Sequence, residues 1–296
     1  MYLPDFEYYS PSTLREACLT LARLKGGAKV LAGGTDLLTD MKNGVIAPLA
    51  LVSLKGIPAI RKIAYVPGKG VVIGACATQN DLVNSPVLQE RYPSICGTAH
   101  AMANNQIRNR GTAGGNLVSA VPSADLPPIL IALKANVTLA GPEATRTVLL
   151  EEFFLAPRRS VITAQEILSE IILPDQETTR SAYLKFGLRR SGALAVVGVA
   201  ASVEATNGHV DDVRIVLGAV APTPIRALGA EQLLKGQHVT EALLEDVGRT
   251  AADECKPISD IRGSDEYRRD MVRVFTKRAL RKALNMTVAD ETEVTR

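Results

Sequence analysis

A chain of 296 residues, 46% hydrophobic and 22% charged, is long enough to bury one large core or two smaller ones, and its length favours two domains. The formal charge is only +3, and the paired bases Arg158-Arg159, Arg189-Arg190, Arg268-Arg269 and Lys277-Arg278 are scattered rather than merged, so no nucleic-acid partner is expected. No window of about 18 apolar residues exists to form a membrane span, and Met1-Tyr2-Leu3-Pro4-Asp5 lacks the basic and apolar regions of a signal peptide, so the expected location is cytoplasmic.

In chain order, Ser10-Pro11 reads as a helix cap with proline at the first helical position, followed by Leu14, Ala17, Cys18 and Leu21 on one face. Lys29 to Ala32 reads as a short strand running into Gly33-Gly34, and Leu49 to Val52 as a second strand. Ile63 to Val66 and Val71 to Gly74 form a hairpin around Pro67-Gly68-Lys69-Gly70. Thr78 and Asp81 have capping-box spacing, and Tyr92 to Met102 is helical in pattern. Asp125 stands before Pro127-Pro128 at another helix start. Strands are expected at Val137 to Leu139 and Ile167 to Leu173, with a domain boundary at Pro174-Asp175-Gln176. Beyond it, Val196 to Glu204 and Val210 to Leu217 form a hairpin through Asn207-Gly208. Helices follow near Arg226 to Lys235, Thr240 to Glu254 and Asp265 to Leu284, and a polar tail covers 288–296. Cys18, Cys76, Cys96 and Cys255 are far apart, with no Cys-x-x-Cys, so they read as ordinary buried thiols rather than as zinc or cluster ligands.

Two small-residue loops carry the chemistry, Ala32-Gly33-Gly34-Thr35-Asp36 after a strand and Thr112-Ala113-Gly114-Gly115-Asn116 before a helix-forming region. Consecutive glycines let successive N–H groups converge on an anion without a Cβ in the way, and Thr35, Thr112 and Asn116 offer side-chain donors. Neither loop has Walker A or Rossmann spacing. A Gly-Gly pair by itself is more often a tight turn than a phosphate site.

The surrounding text decides between these readings. Ala32-Gly33-Gly34-Thr35-Asp36-Leu37, then Gln106-Ile107-Arg108-Asn109-x-Gly111-Thr112-x-Gly114-Gly115-Asn116, then Pro122-Ser123-Ala124-Asp125-Leu126-Pro127 occur in this order. Together they resemble the flavin subunits of the molybdenum hydroxylases, of the xanthine dehydrogenase and carbon monoxide dehydrogenase type. The similarity continues through Glu166-Ile167-Leu168 and Tyr183-Leu184-Lys185 to Ile261-Arg262-Gly263-Ser264-Asp265-x-Tyr267-Arg268, nearly the whole chain. The Thr35-Asp36 pair and Ala113 depart from the carbon monoxide dehydrogenase pattern, and an inserted cysteine-rich loop as in hydroxybenzoyl-CoA reductases is absent from the sequence.

The resemblance implies an α+β fold, with a vanillyl-alcohol-oxidase-like FAD domain over 1–175 and the smaller C-terminal domain of carbon monoxide dehydrogenase flavoproteins over 176–287. It implies non-covalent FAD held by Lys29, Leu31, Ala32, Gly33, Gly34, Thr35 and Asp36 and by Thr112, Gly114, Gly115, Asn116 and Ser119. Asp125 would bond the ribityl chain, Leu168 would pack on the isoalloxazine, and Lys185 would approach its polar edge. Read without the resemblance, Asp125 is a helix cap and Lys185 a surface charge. The implied partners are a small iron-sulfur subunit with two-iron clusters and a large molybdopterin subunit, in a dimer of heterotrimers that delivers electrons to an external acceptor. No residue is expected to be a general acid or base. A self-contained oxidase with covalent flavin is disfavoured because His100, His209 and His238 lie outside both loops, and intact loops disfavour a flavin-less scaffold.

Overall fold

The computed structural model describes residues 3–176, 179–189 and 191–286, so the tail expected over 288–296 lies outside the described residues. A small parallel sheet opens the chain. Its strands β1 (Glu7–Tyr9), β2 (Ala28–Leu31) and β3 (Ala50–Ser53) lie in the order β1-β3-β2, connected by α1 (Leu14–Arg23) and α2 (Leu37–Lys42). The cap of α1 is Thr13 rather than Ser10: Thr13 Oγ1 accepts the Glu16 N–H at 3.2 Å, while the Glu16 carboxylate reaches back to the Ser12 N–H at 2.9 Å. As expected, Ala17, Cys18 and Leu21 form the buried face of α1.

A five-stranded antiparallel sheet follows. It contains β4 (Ile63–Val66), β5 (Gly70–Gly74), β6 (Asn136–Ala140) and β7 (Thr145–Leu149), with a small hairpin of β8 (Phe154–Ala156) and β9 (Arg159–Ser160) outside it and β10 (Ile167–Leu173) running through its centre. Between β5 and β6 the chain forms six short helices, α3 (Gln79–Asn84), α4 (Pro86–Arg91), α5 (Pro93–Ala101), α6 (Asn105–Arg108), α7 (Ala113–Val118) and α8 (Leu126–Ala132). The Thr78–Asp81 capping box is present at α3. Every residue of α8 is buried, which is why its sequence is apolar on all sides.

The third sheet contains β11 (Arg180–Phe186), β12 (Val197–Thr206), β13 (His209–Gly218) and β14 (Ile225–Arg226), followed by α9 (Leu228–Leu234), α10 (Glu241–Glu254) and α11 (Asp265–Ala283). The β12–β13 hairpin turns through Asn207 (φ 51°) and Gly208 (φ 82°), the left-handed pair that Asn-Gly supplies. One face of this sheet, with Val197, Val199, Ala201 and Val203, packs on α11, and α10 packs against α11 and α9 within the same core. Its other face sends Tyr183, Ala200 and Val216 into the core that contains α8. Small residues permit that close approach: a Cβ on Gly218 would lie 2.6 Å from Pro128 Cγ. The faces of β11 alternate, Ala182, Leu184 and Phe186 joining the core under α11 and Ser181, Tyr183 and Lys185 facing α5 and α8.

All four cysteines are free thiols, three buried and Cys96 partly so. Burial raises their pKa values, that of Cys76 to about 11, which leaves them protonated and unreactive at neutral pH. Among the described residues no group of three or more His, Cys, Asp or Glu could hold a metal, and no helix is long and apolar enough to cross a membrane.

Candidate functional site

The first glycine loop leaves β2 and turns at Gly34, whose φ of +80° suits glycine, into α2. Its last three carbonyls are engaged, Gly34 O by the Leu38 N–H at 3.0 Å, Thr35 O by Thr39 Oγ1 at 2.7 Å and Asp36 O by the Asp40 N–H at 2.8 Å. Its amides are not. Among the described residues, the N–H groups of Gly33, Gly34, Thr35 and Asp36 have no hydrogen-bond acceptor. Successive unpaired amides at a strand-to-helix turn form a positively polarised cradle suited to a pyrophosphate.

The second loop is built differently. Its glycines belong to the first turn of α7, and neither Gly114 nor Gly115 has positive φ. The expectation that its successive N–H groups converge on an anion is not met, because they are committed within the protein. Ala113 N–H donates to Ala77 O and Gly114 N–H to Ala75 O, both at 2.8 Å, and Gly115 N–H donates to Thr112 Oγ1 at 3.0 Å. These bonds fasten α7 to the chain between β5 and α3, and Thr112 acts as the helix cap. Gly114 is required by packing, since its Cβ would lie 2.6 Å from Ala75 Cβ. At Gly115 a Cβ would meet Thr112 Oγ1 at 2.7 Å and nothing else within 4 Å, so that side of the helix is open to a ligand.

The two loops touch. A Cβ on Gly33 would lie 2.1 Å from Arg110 O, so only glycine lets the first loop rest on the segment that enters the second. Ser119 Oγ donates to Asp36 Oδ2 at 2.5 Å, lacing the C-terminal end of α7 to the start of α2. The free amides, the open side of Gly115 and Ser119 thus belong to one constellation. These features fit a dinucleotide phosphate.

Asp125 lies behind it. The Asn116 carboxamide oxygen accepts the Leu126 N–H at 3.3 Å, joining the second loop to the start of α8. Asp125 is not a side-chain cap for α8. Its Oδ1 accepts the Tyr183 hydroxyl and its Oδ2 the Lys185 ammonium, each at 2.8 Å. Asp125 stands at the N-cap position of α8 without a side-chain cap bond, and the Asp125 and Lys185 side chains are 7% and 11% exposed, so the surface-charge reading of Lys185 does not survive. Burial pushes the Asp125 carboxyl up, and Lys185 and Tyr183 oppose that push by bonding the charged form. Burial likewise raises Tyr183 well above an ordinary phenol, keeping it a neutral donor.

Lys185 also lines a cleft of about 860 Å³ between α5 and β11, with Thr98, Ser181, Phe186 and Arg189 among its walls. Leu168 is 3% exposed and sits in the main core beside the β10 irregularity, so its side chain does not face solvent. Leu31 is buried against Met41 and Leu51, whereas Lys29 is exposed on β2. The bond of Tyr183 to Asp125 and the contact of the Arg110 carbonyl with Gly33 were not read from the sequence. The i, i+2 spacing of Tyr183 and Lys185 was a usable signal, since it places both on one face of a strand, but the contact of Gly33 with Arg110 leaves no local trace.

Residues 4–176 match the family described as the FAD binding domain in molybdopterin dehydrogenase, and residues 182–283 match the CO dehydrogenase flavoprotein C-terminal domain. The chain is 37% identical to the carbon monoxide dehydrogenase medium chain of Hydrogenophaga pseudoflava, over 96% of this chain and 98% of that one. It is 30% identical to the nicotine 6-hydroxylase medium subunit of Paenarthrobacter nicotinovorans, over 95% and 98% of the two chains. A solved structure of the Hydrogenophaga pseudoflava carbon monoxide dehydrogenase superposes with a TM-score of 0.93, covering 96% of this chain and 99% of its counterpart at 37% identity. Quinoline 2-oxidoreductase from Pseudomonas putida 86 gives a TM-score of 0.91 at 27% identity, over 96% and 99%.

Proposed function

The chain belongs to the medium, FAD-binding subunits of the molybdenum hydroxylases, and from that premise we propose that it is the electron-output station of a heteromeric complex. In this reading it receives electrons from two-iron clusters on a small subunit, which are filled by a large molybdopterin subunit, and passes them to an external acceptor. The assembly is a dimer of two such heterotrimers in the cytoplasm, and the chain divides near residue 175 into a flavin domain and a C-terminal domain. Substrate oxidation takes place on the large subunit.

The observation that carries this reading is the row of unpaired amides at Gly33, Gly34, Thr35 and Asp36, set against the open side of Gly115. These amides hold the FAD pyrophosphate without a covalent bond. Thr112 and Ser119 offer hydroxyls to adjoining ribose or ribityl oxygens, and Lys29 and Leu31 set the direction from which β2 enters the loop. Asp125 accepts from the ribityl chain while Tyr183 and Lys185 keep it oriented. The main chain near Leu168 borders the isoalloxazine, because the Leu168 side chain is already buried. Bound FAD supplies reversible one- and two-electron transfer. The protein positions it, excludes water, and places the Lys185 cation where it favours an anionic reduced flavin. The exposed prong at Gln106, Ile107 and Arg110, which enters the second loop, is the face that meets the electron-donating subunit.

Stopped-flow absorbance at the oxidised-flavin band tests this assignment. FAD-loaded chain is expected to bleach with dithionite but not with the complex's substrate, and substrate bleaching should appear only when both partner subunits are added. Substrate-driven bleaching of the isolated chain would overturn the assignment.

A further inference from the structure

Among the described residues, the bulkiest fully buried side chain is a cation. Arg268, on α11, is 1% exposed. A guanidinium leaves water unfavourably unless its donors are met, and an apolar side chain would fill the same volume more favourably. Arg268 Nη1 donates to two main-chain carbonyls, Val196 O at 3.0 Å and Ala219 O at 3.2 Å, and Nη2 donates to Asp260 Oδ1 at 2.7 Å. Asp260 is held in turn by Arg262, whose Nη2 lies 2.6 Å from Oδ2. Val196 precedes β12 and Ala219 follows β13, and Gly198 and Gly218 are paired in the ladder between them. The guanidinium therefore clasps the open end of the β12–β13 hairpin.

Ala219 has φ of +65°, a left-handed conformation that residues with a Cβ rarely adopt. Both of its polar main-chain groups are occupied. Its carbonyl accepts from Arg268, and its N–H donates to Pro122 O at 2.9 Å. Pro122 opens the 122–125 segment that ends at Asp125, which Tyr183 and Lys185 grip from β11. The third sheet thus holds this segment at both ends, and Arg268 governs one of the two grips.

We propose that Arg268 is a positioning residue for the flavin site: by keeping Ala219 in its left-handed conformation, it aims the Ala219 N–H at Pro122 O and sets Asp125 at the height the ribityl chain requires. This inference rests on the reading of Asp125 as a flavin contact. It makes α11, remote in sequence from both glycine loops, part of what determines FAD affinity.

The test uses the full chain assembled with its large and small partner subunits and stripped of FAD, titrated with FAD while visible absorbance is followed. Arg268→Met, Arg268→Lys, Asp125→Asn and the Arg268→Met/Asp125→Asn pair are compared. Arg268→Met is expected to weaken FAD binding about tenfold, and Arg268→Lys by less. The double variant is expected to be little weaker than the worse single one, because both changes act on the same segment. The residual bound flavin in Arg268→Met should show the band shift seen in Asp125→Asn. Losses that add in full, or wild-type FAD affinity in Arg268→Met with only a lowered melting temperature, would overturn the proposal. If Arg268→Met does not fold, Arg268→Lys decides by the same additivity criterion. Unchanged affinity in Asp125→Asn would instead refute the reading of Asp125 itself.

Discussion

Two loops with nearly the same text, Ala-Gly-Gly-Thr and Ala-Gly-Gly-Asn, solve opposite problems. At 33–36 the amides are free while the carbonyls of Gly34, Thr35 and Asp36 are bonded, so the loop presents donors outward. At 112–116 the amides are spent on Ala77 O, Ala75 O and Thr112 Oγ1, and the glycines serve close packing and an open helix side. A glycine pair therefore has at least two meanings, backbone donation and backbone proximity. Which one applies depends on where the chain runs next, not on the pair.

That contrast orders the expected effects of mutation. The largest belongs to Gly33→Val, whose Cβ would need the space of Arg110 O at 2.1 Å. Separation of the loops should lower FAD affinity by at least about a hundredfold, or about 2.7 kcal/mol, read as flavin per chain after gel filtration. Full occupancy at limiting FAD would sink the view that the loops must touch.

Gly115→Val should come next. With no positive φ to strain, its effect arises from the 2.7 Å approach to Thr112 Oγ1 and from filling the open side. About tenfold to a hundredfold weaker FAD binding is expected, with the C-terminal domain still folded by circular dichroism. A variant that binds FAD normally would show that the ligand does not lie along this face.

A smaller effect separates the two roles. Thr112→Val removes the α7 cap, which should lower stability by about 1 kcal/mol in a denaturant melt of the FAD-free chain. FAD affinity should fall by less than in either glycine variant. A loss equal to that of Gly33→Val would make the second loop a direct ligand like the first.

The smallest effect is a control far from both loops. Arg146 bonds Glu166 through Nε at 2.6 Å and holds its carboxyl down at about 2. A depressed carboxylate pKa contributes stability above its unfolded value, near 4.5, and that contribution is lost as pH falls from there toward about 2. Arg146→Ala should therefore flatten the acid limb of the stability curve between those values, by no more than about 1 kcal/mol for a partly exposed pair. FAD affinity at neutral pH should be unchanged; a drop there would connect the β7 edge to the flavin site.

Much of the architecture was legible because its causes are local. The Thr78–Asp81 box, the Asn207-Gly208 turn, the buried face of α1 and the long C-terminal helix each depend on residues within one or two turns of one another. Some local details were still misread. The α1 cap is Thr13 rather than Ser10, with Thr13 Oγ1 accepting the Glu16 N–H while the Glu16 carboxylate holds the Ser12 N–H. The helix expected from Tyr92 to Met102 is present as α5, but the separate α4 that Pro93 ends ahead of it was not read. Strand β11 was missed although Ala182, Leu184 and Phe186 alternate with Ser181, Tyr183 and Lys185.

The sequence by itself determined the family, the presence and order of the two glycine loops, and the candidates Asp125 and Lys185, because residue identity and spacing are properties of the chain. Only the tertiary structure decided what each does. It paired Asp125 with Lys185 and Tyr183 across a domain junction, left the first loop's amides unbonded, committed the second loop's amides, and buried Arg268 between two carbonyls. Whether a polar group is free or satisfied depends on which distant segment folds against it, and hydrogen bonds form across space between residues that the sequence keeps far apart.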